Sequence, residues 1–283
     1  MSSTVPKRVE RALIGVIVQI LAWMMMLFTP ESAASQTLVT APSTGAASPT
    51  LVVGFVGGFV HKDDLRHSEV LMARQLQASY GNQVEVRIFE NRQRGKARQW
   101  ILDWLNESKN LTTSGNRKAG QIILFGHSWG ASAVVYLARE LQRAGVPVLL
   151  TVQVDSIKKH GEDDAIIPEN VAEAANFYQP DGILHGLSRI RAADPSRTRI
   201  LGNWRFQYKK EPAECRTYPW HDRFFFKGHT AIECDPHVWS LVQALIERRL
   251  APVAPNRSTL WTNNNLPRRS DNALSTTTAD ERH

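Results

Sequence analysis

Ser128 stands between two glycines, in Gly126-His127-Ser128-Trp129-Gly130, where the apolar run QIILFG (121–126) gives way to a helix-forming stretch. A serine hydroxyl is a poor nucleophile unless it is exposed, held in place and set beside a base that takes its proton. The G-x-S-x-G spacing supplies the first two conditions. A sharp strand-to-helix turn lifts the serine out of a sheet and crowds the backbone so tightly that glycine is needed on both flanks. The turn also sets the serine at a helix N-terminus, where backbone N–H groups and the dipole favour negative charge. The chemistry this suits is attack on an acyl carbonyl, which needs donors aimed at the tetrahedral oxyanion. The N–H of Trp129 is expected to be one. The other is expected from the turn after the first strand, GFVGGFVHKDD (54–64), where Gly57 and Gly58 let the backbone approach closely and Gly58 or Phe59 donates. The plainer alternatives are a glycine-rich helix start and an ordinary tight turn.

With strand, elbow and helix in this order, the sequence resembles the α/β-hydrolase superfamily, specifically its compact lipase, esterase and thioesterase-like branch, over most of residues 50–250. That resemblance implies a chain order of nucleophile, acid and histidine, with the acid after a later strand and the histidine in a loop before the final helix. Asp155, ending VLLTVQV (148–154), fills the acid's place, where a buried carboxylate would accept from a histidine Nδ1–H and fix its tautomer. Many members carry the acid one strand later, but the next expected strand here ends around Asn203, Trp204 and Arg205, with no carboxylate. Asp181 and Asp222 are the reserves. His229, in FKGHTAIECDPHVW (226–239), fills the histidine's place in a short loop before the last helix. Of the other histidines, His237 is expected in that helix's first turn, His221 near the site and His127 packed beneath the elbow. His61, His67, His160 and His185 are expected to be solvated.

The elements that must position these residues follow from hydrophobic pattern. Strands are expected at 50–56, 84–89, 121–126, 146–154 and 199–206, several as nearly continuous apolar runs of the kind covered on both faces. Ala97, Trp100, Ile101, Trp104 and Leu105 recur at helical spacing, as do Val238, Leu241, Val242, Leu245 and Ile246, with Asp235-Pro236 as cap and first-turn residue. The alternation predicts an α/β fold, a compact, mostly parallel sheet flanked by helices on both faces and joined by right-handed crossovers. Ligands in such a sheet collect at the carboxyl ends of the strands. Residues 156–198 are long for a crossover and are expected to form a cap or cleft rim, with a helix in PENVAEAANFYQ (168–179). HGEDD (160–164) has the residue types of a metal site, yet acidic loop clusters are usually solvated, and the chemistry above needs no metal or cofactor.

Outside the expected domain, 50–251, Lys7, Arg8 and Arg11 precede an apolar run from Ala12 to Phe28 and the small residues Ser32-Ala33-Ala34. This reads as a signal peptide, residues 1–34, cleaved after Ala34; the alternative is an uncleaved membrane anchor. Either way the domain faces outward, periplasmic, secreted or anchored. Residues 35–49 have linker composition, and 252–283 lack apolar periodicity, as a disordered tail does. Lys plus Arg exceed Asp plus Glu by 34 to 27, a formal +7 that suits a membrane face, while no nucleic-acid-binding motif accompanies it. The partner expected is a small-molecule or lipid acyl ester, with membrane-surface association. The cysteines, Cys215 and Cys234, form a disulfide or remain two buried thiols. Acyl transfer by the same residues, or a non-catalytic binding protein on the same fold, are the competing readings.

Overall fold

The computed structural model of the protein describes residues 49–110, 120–159, 161 and 163–250. The expected signal (1–34), all but the last residue of the linker (35–49), the tail (252–283), and His160 and Glu162 of the acidic run lie outside them. Six strands, β1 (Thr50–Val56), β2 (Val84–Glu90), β3 (Gln121–His127), β4 (Val148–Val154), β6 (Val171–Tyr178) and β8 (Arg199–Arg205), form one sheet in the order β2-β1-β3-β4-β6-β8. Every neighbouring pair is parallel. Two short strands, β5 (Ile166–Ile167) and β7 (Arg191–Ala192), pair separately beside it.

The apolar runs are continuous because both faces are covered. Leu51, Val53 and Phe55 of β1 pack with Ile122 and Leu124 of β3 against Ala97 and Ile101 of α2 (Arg94–Asn110) and Val134, Leu137 and Leu141 of α3 (Trp129–Arg143). Val52, Ile123 and Phe125 point the other way, onto Met72 and Leu76 of α1 (Ser68–Tyr80) and Val238, Val242 and Ile246 of α6 (Pro236–Glu247). Each fully buried Val, Leu, Ile, Met or Phe side chain contributes about 1.5–3 kcal/mol. At the start of α6, Asp235 Oδ1 accepts from the His237 N–H at 2.8 Å and Pro236 occupies the first turn, as the sequence pattern anticipates. His237 itself is exposed.

One element departs from expectation. The stretch 168–179 is not a helix: Val171–Tyr178 is a central strand, hydrogen-bonded to β4 on one side and β8 on the other. Its alanines and Glu173 favour helix by only a few tenths of a kcal/mol each, which two ladder partners override. A register shift at Ala174/Ala175 turns Val171 and Ala174 to one face and Ala175 and Phe177 to the other. Glu173 pairs with Arg199 and Arg249. Residues 156–198 are therefore two connections flanking a strand rather than one long cap.

Cys215 and Cys234 form a buried disulfide with Cα atoms 5.2 Å apart. Closing a loop across a sequence separation of 19 contributes about 3 kcal/mol on the chain-entropy model. The bridge ties the 3₁₀ turn Ala213–Thr217 to α5 (Lys227–Cys234), the short helix that carries His229. A six-residue helix, α4 (Trp220–Phe225), precedes α5. No helix among the described residues is long and apolar enough to cross a membrane.

Candidate active site

Ser128 sits between β3 and α3 at φ 57° and ψ −126°, a conformation that a non-glycine residue adopts only when its surroundings enforce it. Its N–H donates to the Val154 carbonyl at 3.0 Å, and its own carbonyl accepts from the Ala131 N–H at 3.0 Å. The flanking glycines follow from how closely α3 starts against the sheet. A Cβ on Gly126 would lie 2.6 Å from the Gly130 backbone, and one on Gly130 would lie 2.2 Å from the Phe55 carbonyl oxygen. Both are backbone collisions that no rotamer change relieves.

The strand order brings the other residues to the same edge. β1 and β4 flank β3, so the Gly57-Gly58 turn and Asp155 lie on either side of Ser128. His229 Nε2 is 2.9 Å from Ser128 Oγ, and its Nδ1 is 2.7 Å from Asp155 Oδ2. A carboxylate only accepts, so Nδ1 carries the proton and donates, which leaves Nε2 to accept from the serine hydroxyl. His229 lies within α5 rather than in a loop, two residues after the helix begins.

Asp155 is fully buried, at φ 44°. Besides His229 it accepts from Gln179 Nε2 (2.8 Å), the Gln179 N–H (3.1 Å) and the Gly186 N–H (2.8 Å). The reserve acids are engaged elsewhere. Asp181 Oδ2 accepts from the Tyr208 N–H at 3.1 Å, and Asp222 sits 3.7 Å from His221.

The two glycines after β1 serve different ends. A Cβ on Gly57 would meet Ser128 Cβ at 2.8 Å, whereas Gly58 has open space around it but takes a positive φ of 42°. The Gly58 carbonyl accepts from Asn91 Nδ2 at 2.6 Å, and Asn91 Oδ1 accepts from Lys159 Nζ at 2.8 Å. The exposed Phe59 ring meets Trp129 edge-on at 5.7 Å. Neither Asn91 nor Gln179 was among the expected site residues. Asn91 directly follows β2, where the strand-end rule points; Gln179 follows β6, the strand that the sequence disguises as a helix.

His127 packs beneath the elbow, as expected, its ring stacked on His229 at 4.6 Å between centroids. Burial drives it down to about 4, so it sits neutral against the His229 ring. His67, expected to be solvated, is instead mostly buried and bonded through Nδ1 to Glu233 Oε1. Burial opposes its charge, but the hydrogen bond and charge of Glu233 prevail and raise it to about 9. Glu69, fully buried nearby, is pushed up to about 8 by burial and then by Glu233. Burial works against the Glu233 charge too, yet the neighbouring imidazoles hold that carboxyl below its usual range. His61 and His185 are exposed, and His221 lines the cleft.

Of the described residues in the 160–164 run, Asp164 is buried and accepts from Ser156 Oγ at 2.5 Å, and burial raises it, while Gly161 and Asp163 are exposed. The cleft over Ser128 measures about 780 Å³ and is lined by Phe59, Trp129, Leu184 and Phe226 among others. A concavity of about 900 Å³ lies at the opposite strand ends, around Gly120, Pro147 and Arg197, and among the described residues its walls carry no serine, cysteine or histidine.

No family model and no curated protein matches the chain. Among solved structures it is similar to a cutinase-like protein from Cryptococcus sp. (13% identity, 75% of this chain and 100% of that one, TM-score 0.39). It is also similar to a thermostable esterase from Pseudomonas putida (10% identity, 75% and 77%, TM-score 0.38). A third is a thioesterase from the prodiginine biosynthetic pathway of Streptomyces coelicolor (14% identity, 78% and 99%, TM-score 0.34). A parallel sheet covered by helices on both faces, with a serine on a strained turn between its third strand and the following helix, has the α/β-hydrolase fold.

Proposed function

We propose that the protein is a serine hydrolase that cleaves carboxylic ester or thioester bonds through an acyl-enzyme on Ser128. The observation that carries this reading is the unbroken relay of 2.9 Å from Ser128 Oγ to His229 Nε2 and 2.7 Å from His229 Nδ1 to Asp155 Oδ2. In the first half-reaction Ser128 Oγ attacks the carbonyl carbon, His229 Nε2 takes its proton, and the same nitrogen returns that proton to the departing alcohol or thiol. Water then attacks the acyl-serine by the same route and releases the acid. Asp155 orients His229 and stabilises its imidazolium.

The oxyanion is received by the Trp129 N–H and an N–H of Gly58 or Phe59. Asn91 supports Phe59: it holds the carbonyl of the trans Gly58–Phe59 peptide, so the Phe59 N–H points away from Asn91 in a fixed direction. Exposed Phe59, Trp220, Phe224 and Phe225 on segments that line the cleft favour an apolar acyl chain and contact with a lipid surface. No cofactor takes part in these steps.

Rapid mixing with p-nitrophenyl butyrate tests the reading. It predicts a burst of p-nitrophenol stoichiometric with the chain and then a slower steady rate, the signature of an accumulating acyl-enzyme. Folded protein that turns over no p-nitrophenyl ester from acetate to palmitate contradicts it.

A further inference from the structure

Behind the histidine of the relay lies a second cluster that the proposed chemistry does not use. His67, the residue before α1, Glu69 in its first turn and Glu233 on α5 each present a ligand atom, all within 4.8 Å of one another. Glu69 is 0% exposed, and neither of its carboxylate oxygens has a well-formed hydrogen bond; only the backbone N–H groups of Glu69 and Gly57 lie near enough to interact with it. A carboxylate buried without a donor costs several kcal/mol unless something compensates it. The second acid is better supplied: Glu233 Oε1 bonds His67 Nδ1 and accepts from Tyr218 Oη at 3.3 Å. We propose that His67, Glu69 and Glu233 form a binding site for a divalent transition-metal ion of the zinc class.

The donor set selects that class. One imidazole nitrogen with two carboxylates suits zinc, whereas calcium takes six to eight oxygens and magnesium keeps most of its water. Ligands around tetrahedral zinc stand about 3.3 Å apart at the usual bond lengths. Closing from 4.8 Å brings the ligand atoms together by about 1.5 Å, and no side chain hydrogen-bonds to the Glu69 carboxylate. Behind His67, Asp64 Oδ2 lies 3.9 Å from Nε2, on the side where a ligating imidazole keeps a carboxylate partner. His67 and Glu233 also line the cleft, which gives an ion a route to the site from solvent. The ion would join α1, which follows the Gly57-Gly58 turn, to the helix that carries His229. It would thus brace the two segments flanking Ser128. The inference stands apart from the ester-cleaving reading, and its test reads metal rather than turnover.

The full chain, stripped with chelator and dialysed, is titrated with zinc chloride alone, and with magnesium chloride as a control, by calorimetry and thermal melting. The site predicts one zinc per chain, a higher melting temperature with zinc, and no response to magnesium. Glu69→Gln keeps the side-chain shape and removes the charge; it is expected to weaken zinc binding at least about 10-fold and to melt no lower than stripped wild type. His67→Ala provides a second variant, with the same loss expected. Absence of zinc uptake by folded wild type overturns the proposal, because Glu69 then holds a proton instead of a cation. Equal uptake by wild type and both variants also overturns it, by placing the zinc elsewhere on the chain.

Discussion

Ser128→Ala is expected to lower kcat for p-nitrophenyl butyrate by about 10⁴- to 10⁶-fold, with the melting temperature nearly unchanged. The size follows from what the hydroxyl does: without it no acyl-enzyme forms, and only binding and oxyanion stabilisation remain to assist direct attack by water. Stability should hold, because the turn is built by backbone contacts rather than by the side chain. The Ser128 N–H and carbonyl keep their bonds to Val154 and Ala131, and the glycines around it still fit. Comparing steady-state rates of the two purified proteins, with circular dichroism melts alongside, checks both halves.

The second large effect is expected from Asp155→Asn, about 10⁴-fold in kcat with little change in KM. An asparagine amide has one acceptor where the carboxylate has two. Four donors converge on Asp155: His229 Nδ1, Gln179 Nε2 and the N–H groups of Gln179 and Gly186. The amide N–H₂ must face some of them, which favours the wrong tautomer of His229 or turns its ring. Unlike the serine variant, this one should also lose stability, by about 1–3 kcal/mol, since buried donors are left facing a donor. A kcat loss without a stability loss would mean that Asp155 acts only electrostatically. A stability loss without a kcat loss would assign it to folding alone.

Much of this site can be read from the sequence, for a physical reason. Ser128, Asp155 and the Gly57-Gly58 turn each end a strand whose apolar run is complete because both faces are buried. Strand ends marked by such runs are local features. His229 could be placed only by resemblance and by nearness to the last helix, and its own short helix was missed. Lys227–Cys234 is held by the Trp239 Nε1–H bond to the Glu233 carbonyl and by the disulfide to Cys215, whose partner lies 19 positions away, beyond any window of eight residues. β6 was misread because its alanines and glutamate carry helical preference, while its strand character comes from neighbours on both sides. With that strand hidden, Gln179, which anchors Asp155, stayed hidden too. The buried His67–Glu233 pair joins residues 166 positions apart, and nothing near His67 in the sequence distinguishes it from a solvated histidine.

The central claim is that Ser128 is a nucleophile activated by His229. Reacting the folded protein with a fluorophosphonate and mapping the adduct by mass spectrometry tests it most directly. The account predicts a single phosphonyl group on Ser128, formed far more slowly in His229→Ala. A modified residue elsewhere, or an unreacted Ser128 in protein that still hydrolyses esters, would contradict it.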